Sequence, residues 1–555
     1  MSRPCRRSPV PARDFSDKRA VRPAHPKSSR LDPLHSPPPG HAAQPPGWWQ
    51  RRVLLAAVLV LSAVPLLVPD IPPTVDLPGH MARYRVEMEI GNSPALQAFY
   101  NFDWALIGNL GVDLLVMPLS WLFGLEFAVK LIVIATIVMT VAGFLWVARE
   151  VHGRIPPTAF FAAPLAYGFP FHFGFINFAL SMALAFLAFG LWLRLARLGR
   201  TKLRAILFVP ISILIWVTHT FGWGTLGVMA FSAEFVRQID RKTRWWKAPF
   251  VAALHAAAIA PPMLLMLAWR TGGHASGKTA DWFNWERKWD WLRMALRDRW
   301  ETFDTASLAL IGLLLLLGAV LYKKLEYSRN LAASAIFLII VYLLLPRIVF
   351  GSAYADMRLV PYMIAVAVIA IRLRSTSGPR FANALAVAAM AFFLIRTAGT
   401  TWSFLLYDRV YDRNLAALDH VPRDARLVTF VGRSCRNDWA MSRLEHIPGM
   451  AVVRRHAFSN DQWSMVGAQL LTVRYREGRP YAADPSQMVT LVKCRGEFWR
   501  PISKSLREFP RGAFDYVWLV QPPPYDPALT RGMQPIWRSG TSRLYRVVDR
   551  SPPEG

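Results

Sequence analysis

From Val53 to Trp402 the chain alternates apolar runs with short polar connections. Runs of this length cross a bilayer as helices, at about 1.5 Å of rise per residue. The pattern predicts spans at Val53–Pro69, Glu126–Val147, on either side of Phe171, and at Ala248–Trp269, Ser307–Tyr322, Leu331–Pro346, Leu359–Ile371 and Phe381–Trp402. Leu203–Val236 is long enough for two short spans if it turns between Thr218 and Trp223, which brings the total to about eleven. Leu110–Phe123 is apolar but short and carries Asp113; it reads as a half-buried or re-entrant segment, and one merged span around Phe171 would satisfy the topology equally well. Beyond Tyr407 the apolar patches shorten. Arg426–Val431, Met450–Val453 and Tyr516–Val520 read as buried strands with helical stretches between them, a soluble α+β domain over 407–555.

Composition agrees with a membrane solvent: 53% of residues are hydrophobic, with 22 Trp and 33 Phe among 555. Residues 1–52 form a basic tail rich in Pro, Ser and Arg, expected to be disordered and to remain cytoplasmic. The formal charge of +29 collects in connections between apolar runs, which points to topology control and excludes a nucleic-acid groove. The basic connections 194–204, 237–247, 323–329 and 372–380 belong on the cytoplasmic side. That orientation makes the membrane region 53–406 end outward, in the inner membrane of a bacterium, and makes the C-terminal domain periplasmic. An oxidising compartment permits a Cys435–Cys494 disulfide; two separate buried thiols fit the sequence equally.

With this topology the polar residues gather at the outer ends of the spans. The first outer loop, 70–109, is acidic in a basic protein and holds Asp76, His80 and Asp103. His172 and His219 interrupt apolar runs on the same side, and Arg347 and the pair Asp356 and Arg358 follow. Ionisable groups converging at one membrane depth mark a candidate site, although each alone could cap a helix or meet headgroups. The loop 271–306, rich in Trp between Asp281 and Trp300, reads as an amphipathic helix on the outer interface, an anchor or a lid.

Three phrases carry a resemblance. Val75-Asp76-Leu77-Pro78-Gly79-His80 follows the first span; Phe123-Gly124-Leu125-Glu126-Phe127-Ala128-Val129-Lys130 ends a Pro-containing apolar run; Ala148–Arg154 closes the next span on a basic phrase. In this layout the chain resembles the polytopic C-type (GT-C) glycosyltransferases that use polyprenyl-phosphate sugars. It is also similar to uncharacterised bacterial membrane proteins with an Asp-x-Pro-x-His loop, matched further by Asn109-Leu110-Gly111-Val112-Asp113 and Asp356-Met357-Arg358. The resemblance implies an all-α polytopic membrane fold with a periplasmic domain. It also implies an inverting transferase that takes a lipid-linked sugar donor and an envelope glycan, lipid or protein acceptor.

Such chemistry needs a base for the acceptor hydroxyl and cations for the departing phosphate. Asp76 is the candidate base, while Asp-Leu-Pro equally fits a helix N-cap. His80, one turn on, can relay a proton or join Asp76 on a divalent metal, with Asp103 or Asp113 as a further carboxylate. Arg347 and Arg358 are candidates for the lipid phosphate, because guanidinium forks match its oxygens; Arg358 could instead pair with Asp356. His172 and His219 would line the pocket. A transporter or lipid flippase would show midplane acids and an internal repeat, neither of which the sequence carries. A non-catalytic envelope scaffold would keep the layout and lose only reactive residues.

Overall fold

A computed structural model describes residues 47–271, 278–436, 438–464 and 469–551. The expected disordered tail lies outside these residues up to position 46. Its end is ordered: Trp48–Gln50 forms a single 3-10 turn and Trp49 donates to the Ile155 carbonyl.

Helices stand where the apolar runs place them. Among the described residues five are long and apolar enough to cross a membrane: Leu125–His152, Ile176–Arg197, Thr201–Thr218, Glu301–Val320 and the long C-terminal helix beginning at Pro379. The pair Ala248–Ile259 and Pro262–Trp269 makes a sixth if it counts as one span bent by 71°. Shorter apolar helices occupy Arg52–Leu67, Gly111–Phe123, Arg329–Leu344 and Met357–Ile369. The chain is therefore a multi-pass membrane protein. Region 203–236 breaks at His219 into two helices, Thr201–Thr218 and Thr220–Asp240, of which the first is among the spans above. The half-span Gly111–Phe123 buries only its first turns, leaving Trp121 and Leu122 exposed; Gly124 then turns the chain at φ +75° into Leu125–His152.

Two departures have clear physical causes. Around Phe171 the chain is neither one span nor two, because the fully buried stretch Pro157–Tyr167 winds as 3-10 helix and a short turn, Phe169–Phe173, precedes Ile176–Arg197. Prolines 157, 164 and 170 remove amide donors along this stretch, which weakens regular α-helix. Met450–Val453, expected as a strand, lies in helix Gly449–Arg455. A four-residue apolar run fits either period, and here it packs as a helix against Leu77–Glu89.

The C-terminal region carries a mixed six-stranded sheet: β1 (Leu427–Gly432), β2 (Met488–Thr490), β3 (Arg500–Pro501), β4 (Tyr516–Val520), β5 (Met533–Ser539) and β6 (Ser542–Val547), in the order β3-β2-β1-β4-β6-β5. β1 to β4 pair in parallel and the β5–β6 hairpin adds antiparallel. β1 is buried on both faces, as expected for a central parallel strand. A separate two-stranded ladder joins Tyr100–Phe102, in the loop 70–109, to Leu471–Val473. The loop 70–109 and the C-terminal region are thus bonded through backbone as well as side chains.

Candidate active site

Asp76 owes its position to a seam between two loops. Its amide donates to the Phe173 carbonyl at 3.0 Å, and the Val75 amide to the His172 carbonyl at 3.2 Å. Gly174, at φ +105°, lies so close that an added Cβ would stand 2.6 Å from the Asp76 nitrogen. Asp76 then starts helix Leu77–Glu89, with Pro78 in its first turn. It holds the N-cap position, yet its carboxylate accepts no capping hydrogen bond. The carboxylate is left for other use.

The helix reaches the C-terminal domain through small residues. A Cβ on Gly449 would stand 2.7 Å from the Pro78 carbonyl, and one on Gly79 would meet the Trp463 and His446 rings. This close approach brings His446 to Asp76: Nε2 lies 4.0 Å from Asp76 Oδ1 and 3.9 Å from Asp484 Oδ1. On its other side Nδ1 donates to the Asp461 carbonyl at 3.1 Å, and the Asp461 carboxylate is 3.5 Å away. Trp463 packs on the imidazole at 4.2 Å between ring centroids and reaches His80 at 4.9 Å.

Burial raises the Asp76 carboxyl to about 7, opposed by the charge of His446 and reinforced by Glu445 and Asp484. Burial lowers the His446 imidazolium but is overcome by Asp461, Asp484 and Asp76, so the group is raised to about 9. Burial also raises Asp484 and Glu445 and holds His80 well below its ordinary value, helped by Arg83 and His446. Near neutral pH the pair is therefore an imidazolium beside a carboxyl that exchanges its proton in that range.

These groups form one end of a cavity of about 800 Å³. Asp76, His80, Glu445, His446, Asp484 and Glu497 line its polar end; Trp216, Trp223, Val228, Met266, Leu338 and Val341 line an apolar arm between helices. Arg358 sits where the two meet. It packs over Phe175 at 4.2 Å and makes only long contacts, to His219 Nε2 at 3.5 Å, Ser352 Oγ at 3.3 Å and the Ala353 carbonyl at 3.4 Å. Other buried arginines are neutralised by carboxylates: Arg83 by Asp113, Arg204 by Glu234, Arg396 by Asp304 and Arg443 by Asp298. Among the described residues, none lies within ion-pairing distance of Arg358.

The structure brings Asp76, His80, His219 and Arg358 together on this cavity and places the other candidates elsewhere. Arg347 pairs with Asp281. Asp356 binds Lys288 at 3.1 Å, not Arg358. His172 is buried and contacts Arg443 at 3.1 Å. Asp113 accepts from Arg83 at 2.7 Å and Asn177 at 3.0 Å, and Asp103 is exposed beside the two-stranded ladder. Cys435 and Cys494 form a disulfide, in the segments that carry Arg433 and Glu497. Among the described residues no group of three or more His, Cys, Asp or Glu is arranged to hold a metal ion. The Trp-rich segment is helical only over Trp285–Arg293, with Trp285 and Trp289 exposed and Trp291 buried.

No protein-family model and no curated protein matches the chain. Among solved structures, ArnT from Cupriavidus metallidurans in the apo state is similar with a TM-score of 0.50 at 12% identity, over 89% of this chain and 97% of that one. ArnT from the same organism bound to undecaprenyl phosphate gives a TM-score of 0.46 at 11% identity, over 89% and 98%. The fold is GT-C-like. It is a polytopic membrane fold ending in a β-containing domain, as the resemblance implied.

Sequence reasoning missed Glu445, His446, Asp461, Trp463 and Asp484. Their signal was faint: Glu445-His446 sits beside Ile447-Pro448-Gly449, a turn phrase that reads as ordinary domain surface until Gly449 is seen touching Pro78.

Proposed function

We propose that this protein transfers a sugar from a polyprenyl-phosphate donor to a cell-envelope acceptor at the periplasmic face of the bacterial inner membrane. Its N-terminus is then cytoplasmic and its domain over 407–555 periplasmic. One observation carries the reading: a cavity joins an apolar arm between helices to a polar end holding a carboxylate that makes no capping bond and faces His446, with a buried arginine that has no carboxylate partner among the described residues at the junction.

In this reading the polyprenyl tail lies against Trp223, Val228, Met266, Leu338 and Val341, and Arg358 takes the phosphate oxygens. Asp76 removes the proton from the acceptor hydroxyl. The oxygen attacks the anomeric carbon, and the bond to the phosphate oxygen breaks with inversion, leaving the lipid phosphate as the anionic leaving group. Arg358 offsets the charge that develops there. No step needs a metal, and none is assigned.

The test is retention of polyprenyl phosphate by purified protein, read by native mass spectrometry in detergent. Wild type and Asp76→Asn are expected to retain the lipid phosphate, and Arg358→Ala to lose it. Equal retention by wild type and Arg358→Ala, or no selective retention by either, sinks the lipid-donor reading.

A further inference from the structure

We infer that His446, clamped by Asp461 and reaching across from the C-terminal domain, is the positioning residue for Asp76. This rests on the transferase reading of the cavity but concerns a residue that neither sequence phrase nor comparison singles out. Three observations converge on it.

The imidazole is fixed rather than adaptable. Nδ1 is bonded to the Asp461 carbonyl, and the Asp461 carboxylate is held by Ser459 Oγ at 2.7 Å and Gln462 Nε2 at 3.1 Å. With Nδ1 engaged, only Nε2 is available toward the cavity, where Asp76 and Asp484 lie at nearly equal distances. The ring is 4% exposed, so its field acts on Asp76 through little water. Finally, Gly79 and Gly449 admit the backbone approach that produces the contact; a side chain at either would push the two halves apart.

The groups facing Asp76 come from several elements. His80 lies on its own helix, Glu445 and His446 on the loop before Gly449–Arg455, and Asp484 on the loop before β2. Tyr354 and Arg358 face it from the segment that follows Arg329–Leu344. His446 and Arg358 favour the ionised carboxylate, and Glu445 and Asp484 oppose it. Of these charges His446 acts on Asp76 most strongly. Without it, the domain would present Asp76 with carboxylates alone.

The experiment reads Asp76 directly and needs no substrate. Infrared difference spectra of the full protein in detergent are recorded against pH, and the carboxylic C=O band of Asp76 is identified by its loss in Asp76→Asn. Its wild-type midpoint is expected near 7. His446→Gln should raise the midpoint by about one unit or more, the effect of losing an opposite charge at this range; His446→Lys should return it toward wild type, and Asp484→Asn should lower it. A merely structural role for His446 would not give opposite signs for the two neighbours or respond to restored charge. An Asp76 midpoint unmoved in His446→Gln overturns the inference, and if that variant does not fold, a midpoint unmoved or raised in Asp484→Asn does the same. Retention of polyprenyl phosphate is measured on the same samples: its failure in wild type defeats the transferase reading by itself, whatever the Asp76 band does.

Discussion

Lys288 offers the most quantitative test of how the cavity rim is held. Its ammonium is 3% exposed and donates to the Tyr342 and Leu345 carbonyls, both at 2.8 Å, and to Asp356 Oδ2 at 3.1 Å. Three donors thus meet three acceptors, and the other Asp356 oxygen accepts from the Met357 amide. Lys288→Met removes the cation that, among the described residues, alone pairs with Asp356, and strands a carboxylate that is 1% exposed. Breaking a buried pair from one side costs about 3–5 kcal/mol, mostly as the penalty on the charge left behind. Replacing both partners, as Lys288→Met with Asp356→Asn, removes that charge and leaves only the two unpaired carbonyls that the single variant also bears, each a loss of about 1–3 kcal/mol. A chain of this size need not unfold in two states, so local opening is the better observable. Hydrogen exchange of peptides covering 345–360 should accelerate about 10²–10³-fold in the single variant, since each factor of ten is about 1.4 kcal/mol. The double variant should exchange more slowly than the single one. Because Ser352 and Ala353 in this rim support Arg358, lipid-phosphate retention should weaken in parallel. Wild-type exchange in Lys288→Met, or costs that simply add in the double variant, would refute the reasoning.

Gly174→Ala places a methyl against the Asp76 amide at a backbone angle that L residues avoid; transfer activity should fall about 10²-fold, the scale of an ångström of misplacement at a reacting group, with the helices intact by circular dichroism. Asp76→Asn should retain lipid and abolish turnover, measured as radiolabelled sugar released from a polyprenyl-phosphate donor; undiminished turnover excludes Asp76 as the base. Stability should fall as pH rises from about 4 to 7, because burial keeps a proton on native Asp76 that the unfolded chain has already lost. The His446 contribution, complete below its unfolded value of 6.5, should disappear toward about 9. Melting temperatures of Asp76→Asn should be flatter than wild type over the first interval, and those of His446→Gln flatter over the second.

The membrane region was legible because each span is a long run in one solvent, and the breaks at His219 and Gly124 coincide with polar or glycine residues. The Phe171 region was not, since a buried 3-10 stretch has no period of its own and its prolines serve spans and breaks alike. Convergence at the outer ends grouped Asp76, His80, His219 and Arg358, which line one cavity. It also gathered Asp113, Arg347 and Asp356, which are already ion-paired with Arg83, Asp281 and Lys288, and His172, which is engaged in a hydrogen bond from Arg443. Depth can be read from hydropathy, but partners cannot: Arg83 and Asp113 are thirty positions apart, and Asp356 and Lys288 more than sixty. The domain half of the site was hidden for the same reason, because His446 meets Asp76 across most of the chain.

The buried charges also explain how a soluble domain can serve a membrane-embedded site with ångström accuracy. Arg443, 1% exposed, is three residues from His446 and joins Asp298, His172 and the Pro73 carbonyl at once. Tyr411, on the long helix Pro379–Leu415, donates toward the Arg443 and Thr74 carbonyls. The segment leading to Asp76 and the loop leading to His446 are therefore tied to the same buried cation. Hydrophobic contact alone would let the domain slide, because apolar area has no direction, whereas a buried guanidinium tolerates few arrangements of its acceptors. Paired ionic groups of this kind are weak evidence for stability and better evidence for specificity. Arg443 fixes where the domain stands, and that placement sets the distance from His446 to Asp76.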